Sequence, residues 1–147
     1  MPPDDSSVVF RTRCPALKRP ALRDFVARLT AEVVHRPFHC IVTADAELRS
    51  LNRRFRGKDA ATDVLAFPDA SASESIGDVA VSYDRAKAQA SEHGHTIQEE
   101  VSILILHGAL HLAGHDHETD NGQMESVEAE WREKLALPAG LIQRSAR

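Results

Sequence analysis

The stretch HGALHLAGHDH, from His107 to His117, holds four of the eight histidines of this 147-residue chain. His107 and His111 are four apart. On a helix they project from one face, about 6 Å apart along the axis, close enough to share one ion. Gly114 is placed to break that helix and let the chain turn back with His117, completing H-x3-H-x5-H. Three imidazole nitrogens suit a single zinc ion and leave a fourth position for water, whose pKa falls towards neutrality there. A lone histidine is more often a core or surface residue; three at this spacing on an apolar segment form a ligand pattern. A purely structural zinc would need a fourth protein ligand, for which Cys14, Cys40 and His115 are available. Asp116 lies between two ligands. It is a candidate catalytic residue, either holding the second ring nitrogen of a ligand or handling protons. His115 has no assigned role, and His35, His39, His93 and His95 flank Pro37 and Gly94 and read as structural.

The extended zinc peptidases read H-E-x-x-H-x-x-G-x-x-H. Here every histidine and the glycine match, but Gly108 stands in place of the glutamate. Glycine cannot act as a base, so that peptidase mechanism is lost. Glycine in a helix interior costs about 1 kcal/mol; the return expected here is that a substrate or backbone can approach the metal closely.

A second constellation is RSLNRRFRGKD. Arg49, Arg53, Arg54, Arg56 and Lys58 fall within ten residues with no acid among them. A solvated helix face explains Arg49 and Arg53. Arg56, beside Phe55 and before a glycine turn, is explained less well that way. Guanidinium forks match phosphate oxygens, so Arg53, Arg54, Arg56 and Lys58 are candidate substrate-binding residues and Arg56 also a catalytic one. An activated water together with an arginine that neutralises charge on phosphorus makes a phosphodiester hydrolase. Phe55 and Phe67 could stack a base, although packing in the core is the favoured reading of both.

The elements that must position these residues follow from periodicity and punctuation. Strands are expected at 7–11, 38–43, 64–68 and 76–82. Leu22, Phe25, Val26, Leu29 and Val33 mark a first helix. Leu48, Leu51, Asn52 and Phe55 mark a second, with Asp45 as its cap and Gly57 as its stop. A third runs from a Ser82 cap through His93. Thr96 and Glu99 form a capping box ahead of IQEEVSILILHGALHLAG, apolar on most sides and therefore the central helix. Met124, Val127, Trp131 and Leu135 space a last amphipathic helix. The expected architecture is a single α+β domain over 1–147, a small mixed sheet packed with helices around the helix carrying the metal ligands, with 1–6 and 140–147 as loose ends.

Composition sets bounds. With 42% apolar and 27% charged residues the chain has the make-up of an ordinary globular domain. No run is long and apolar enough for a membrane span. The opening MPPDDSSVVF does not read as a secretory signal, so the cytoplasm is expected. Cys14 and Cys40 read as reduced thiols, one of them on a strand. The net charge of −4 hides a split: +5 over residues 1–60 and −9 over 61–147. A ligand feels the local field, so a nucleic-acid partner is not excluded.

HGALHLAGHDH, LNRRFRGKDAATDVLAFP (51–68) and IGDVAVS (76–82) together resemble one family, the bacterial YbeY endoribonucleases, over roughly residues 8–137. The resemblance implies a single α+β domain with the metal helix at its centre, and zinc on His107, His111 and His117. It also implies a catalytic or phosphate-positioning role for Arg56. The implied activity is cleavage of single-stranded RNA, in maturation of the 16S ribosomal RNA 3′ end and in ribosome quality control. The implied partners are ribosomal RNA and the small ribosomal subunit, with no DNA and no membrane. Many members carry tyrosine where this chain has His115. A non-enzymatic ribosome-binding module is the competing reading.

Overall fold

A computed structural model of the protein describes residues 7–69, 74–114 and 123–138. His115, Asp116 and His117 lie outside the described residues, as do the expected loose ends.

Four strands form one sheet in the order β1-β2-β4-β3: β1 is Ser7–Phe10, β2 His39–Thr43, β3 Val64–Pro68 and β4 Gly77–Ser82. β1, β2 and β4 run parallel, and β3 is antiparallel to β4. Side chains alternate across the sheet, so register assigns them to faces. Val8, Cys40, Val79 and Ala66 form one row, and Phe10, Val42, Val81 and Val64 the next on the same face. This is the core face. Val9, Ile41, Ala80 and Leu65 form a row on the opposite face.

Helix α4, Ile97–Leu112, lies on the core face and has twelve buried residues of sixteen. Such burial requires the near-continuous apolar run seen in the sequence. Its N-terminus is closed by the predicted capping box: Thr96 Oγ1 accepts from the Glu99 amide at 3.0 Å, and Glu99 accepts from the Thr96 amide at 2.9 Å. Helix α1, Arg19–Leu29, packs beside it through Leu22, Val26 and Leu29. The expected continuation to Val33 is a wider π-helical turn, Thr30–Val34. Thr30 donates its hydroxyl to the Val26 carbonyl at 3.0 Å, competing with the regular ladder there. Helix α3, Tyr83–His93, also packs on α4, and its cap is Ser82, which accepts from the Arg85 amide. Helix α5, Gln123–Lys134, packs on α4.

Helix α2, Asp45–Arg56, covers the other face, where Leu48, Leu65 and Ala80 make a small second core. Two expectations about α2 need correction. The N-cap is Ala44, not Asp45. The Asp45 carboxylate instead accepts from Ser82 Oγ and Arg85 Nε, tying α2 to the start of α3. Phe55 is not a core residue: it is 62% exposed. The buried positions of α2 are Leu48 and Asn52. Asn52 sits at 5% exposure because its amide donates to the Ala60 carbonyl at 3.0 Å, which holds the Gly57–Ala60 loop against the helix. Both cysteines are free and buried, with Cys40 on β2 as expected. Burial pushes the Cys40 thiol up to about 12.

Candidate metal centre

The last two turns of α4 bring His107 and His111 together with 4.7 Å between ring centroids. Their Nε2 atoms are 3.1 Å apart. Two nitrogens bound at ordinary zinc distances to one tetrahedral ion stand about 3.4 Å apart, so the pair is close to ligand geometry without rearrangement.

His107 is buried, at 7% exposure, and its Nδ1 is 2.7 Å from Glu128 Oε1 on α5. Glu128 is 1% exposed. A buried carboxylate needs a partner, and the imidazole N–H supplies one. With Nδ1 as the donor to Glu128, Nε2, turned towards His111, is the lone-pair nitrogen. This is the carboxylate–imidazole arrangement that orients metal-binding histidines. The sequence offered Asp116, outside the described residues, either for such a task or for handling protons, and gave no role to Glu128. A signal was present: position 128 lies four after Met124 and three before Trp131, an acid on the apolar stripe of an amphipathic helix.

Gly108 serves a different purpose from the one expected of it. A Cβ there would lie 2.6 Å from Val79 Cγ1, 3.1 Å from Val79 Cγ2 and 3.3 Å from Val64 Cγ2. The glycine lets α4 press onto β3 and β4; it does not open the metal side. A glutamate in its place would be driven into the sheet, which removes the peptidase base on steric grounds as well. Gly77 repeats the device, since a Cβ would fall 2.3 Å from the Phe67 carbonyl and 2.8 Å from Leu112 Cδ2. Leu112, next to His111, therefore sits at the Pro68–Gly77 end of the sheet. Gly114 is in the left-handed region at φ +100°, as its place after the helix implied.

Among the described residues no group of three metal-binding side chains is present. Neither cysteine joins His107 and His111, so the structural four-ligand site through Cys14 or Cys40 finds no support there. Cys14 instead donates to the Thr12 carbonyl.

The basic segment lies at the C-terminal end of α2. Arg49 is paired with Asp59 at 2.8 Å. Arg53, Arg54, Arg56 and Lys58 are exposed and make no ion pair among the described residues. Arg54 rests over the Phe55 ring, 5.2 Å from its centroid. Arg56 lines a cleft of about 800 Å³ on the α2 face.

An α+β scaffold whose buried helix turns two imidazoles onto one point, with unpaired arginines on the helix that covers the opposite face of the sheet, has the parts of a hydrolase acting on phosphate esters. Residues 19–136 match the family model described as Endoribonuclease YbeY. The chain belongs to the YbeY family of endoribonucleases. It is 57% identical over 143 residues to an Endoribonuclease YbeY of Solibacter usitatus, covering 97% of this chain and 96% of that one. It is 48% identical over 141 residues to one of Koribacter versatilis, covering 95% and 92%. A solution structure of a Thermotoga maritima protein superposes with a TM-score of 0.58 at 26% identity, covering 88% of this chain and 93% of that one. No helix among the described residues is long and apolar enough to cross a membrane.

Proposed function

We propose that the protein is a zinc-dependent endoribonuclease that cuts single-stranded RNA in the cytoplasm, acting on the 3′ end of 16S ribosomal RNA and in ribosome quality control. The observation that carries this reading is the 3.1 Å approach of the His107 and His111 Nε2 atoms, with Glu128 fixing the tautomer of His107. These residues fit a zinc ion, and His117 is the proposed third ligand. When bound, the ion supplies Lewis acidity at the phosphoryl group and lowers the pKa of water.

The chain's own residues do the rest. Arg56 neutralises charge on a phosphate of the bound RNA. Arg53, Arg54 and Lys58 hold flanking phosphates of a ribosomal RNA presented by the small subunit. Asp116 handles the proton. The lack of any side chain at position 108 removes the base a zinc peptidase would use.

The test compares cleavage of a single-stranded RNA by metal-loaded protein and by His111→Ala, with folding and zinc content measured on both. Loss of cutting and of zinc in a folded variant supports the reading. Equal cutting by both overturns it. A substrate with 2′-deoxyribose at the scissile position separates two routes: continued cutting means attack by water, whereas arrest with cyclic ends from the normal RNA means attack by the 2′-hydroxyl.

A further inference from the structure

Among the described residues two large apolar side chains stand exposed, Val9 at 45% and Phe55 at 62%. Both flank the uncovered part of the α2 face. Val9 shares its row with Ile41, which lies on the cleft floor with Leu51. Phe55 and Phe67 form one wall, edge to face at 5.5 Å and 61°. Phe55 is not a singly exposed ring: with Phe67, Ile41 and Leu51 it makes a contiguous apolar lining, and such a patch marks a binding site.

Groups of both charges stand around the cleft. Arg54 and Arg56 stand at the Phe55 edge, neither in an ion pair among the described residues. Arg11 lines the cleft but is committed to Glu47 at 2.5 Å. Asp69 and Asp78 also line it, Asp78 as the in-register neighbour of Phe67 on β3. A nucleotide has the matching polarity. Its phosphate belongs at the arginines and is repelled by the carboxylates. Its base offers a π-face to Phe55 and N–H donors that a carboxylate such as Asp78 accepts. An acidic peptide would be repelled by the carboxylates, and a plain apolar helix would leave both kinds of charge without a partner.

We infer that this cleft is a base-stacking subsite that holds one unpaired nucleotide of the RNA against Phe55 and Phe67. The inference rests on the nuclease reading and extends it to a part of the molecule across the sheet from the histidines. The two are joined at one end of the sheet: Phe67, Pro68 and Asp78 line the cleft, and Leu112, beside His111, packs at neighbouring Gly77. A strand leaving the cleft around that end runs towards the histidines.

The test uses the full chain carrying His111→Ala, so that RNA is bound without being cut, and a short single-stranded RNA containing 2-aminopurine. Loss of a base–aromatic stack weakens binding between about 5- and 150-fold. Phe55→Ala is therefore expected to weaken binding about 10-fold or more and to abolish quenching of the 2-aminopurine. Phe55→Leu keeps apolar bulk without the ring and should lose the quenching as well. An abasic site at the stacked position should weaken binding by the parent protein and add nothing to Phe55→Ala. Thermal melts confirm folding, which an exposed side chain leaves intact. Unchanged affinity and quenching in Phe55→Ala, while the parent chain with His111 still cuts RNA, overturns the subsite and spares the nuclease reading. Intact RNA binding with loss of binding to the small subunit's proteins also overturns it, making the cleft a protein contact. If the parent chain neither cuts nor binds RNA, the nuclease reading fails and the subsite with it.

Discussion

Replacing Gly108 by alanine isolates the contact that sets the height of α4 above the sheet. The new Cβ would be 2.6 Å from Val79 Cγ1, against about 3.5–4.0 Å for an ordinary carbon contact, so roughly 1 Å of separation must be found. Val79 has 0% exposure, and its branched side chain is stiff at χ1. It cannot swing aside, so helix and sheet must part. Such overpacking costs typically about 1–3 kcal/mol. Alanine regains about 0.9 kcal/mol of helix propensity over glycine. The net expectation is a loss of about 1 kcal/mol, or about 4 °C in Tm for a domain of this size. Val79→Ala alone should cost about 2 kcal/mol by leaving a cavity. Together the two changes should cost at least about 1 kcal/mol less than their sum, because the methyl added on α4 enters the space removed from β4. Urea unfolding followed by the fluorescence of Trp131, the one tryptophan, measures all four stabilities. A Gly108→Ala protein more stable than its parent, or costs that simply add, would refute the account of this interface.

Glu128→Gln and Glu128→Ala should weaken zinc binding about 10- to 100-fold, measured by competition with a chelating dye; equal affinity would deny Glu128 its orienting role. Glu47 supplies a pH dependence. The Thr43 hydroxyl, bonded to it at 2.7 Å, and then Arg11 hold its carboxyl below the usual range. A carboxyl lowered on folding contributes stability above its unfolded pKa of about 4.3, lost as pH falls through the folded value. Thr43→Val should therefore be less stable than the parent at pH 7, with the gap narrowing by pH 3; a gap that widens on acidification would contradict this. Cys40, with its thiol raised to about 12 by burial, should resist alkylation at pH 8 until the protein unfolds. Rapid modification in the native state would show that β2 opens readily.

The elements themselves were largely legible, because each carries its own local signal. The capping box and apolar run announce α4, and the four-residue step from His107 to His111 announces the paired imidazoles. What escaped depends on which side of an element meets what. An all-round apolar helix does not say which face lies on the sheet, so Gly108 read as room for substrate when it is room for Val79. Helical spacing put Phe55 on the apolar stripe of α2, but the small core beneath that helix consists of Leu48, Leu65 and Ala80, and the Phe55 ring stays exposed beyond it. Glu128 is 21 residues from His107, and periodicity does not pair residues across such a gap. Strand order rests on long-range pairing and was likewise unreadable. The proposed third ligand and Asp116 fall outside the described residues.

The burial of α4 also grades its mobility. Amides in the middle of a helix with twelve buried residues open only with the whole domain and should exchange with solvent more slowly than most. Beyond its last turn Ala113 and Gly114 are exposed, and they belong to the fraying end of that scale. His107 lies inside the slow-exchanging unit and is gripped from behind by Glu128; His111 lies one turn on, at its boundary. Hydrogen exchange should therefore be faster at the His111 amide than at the His107 amide.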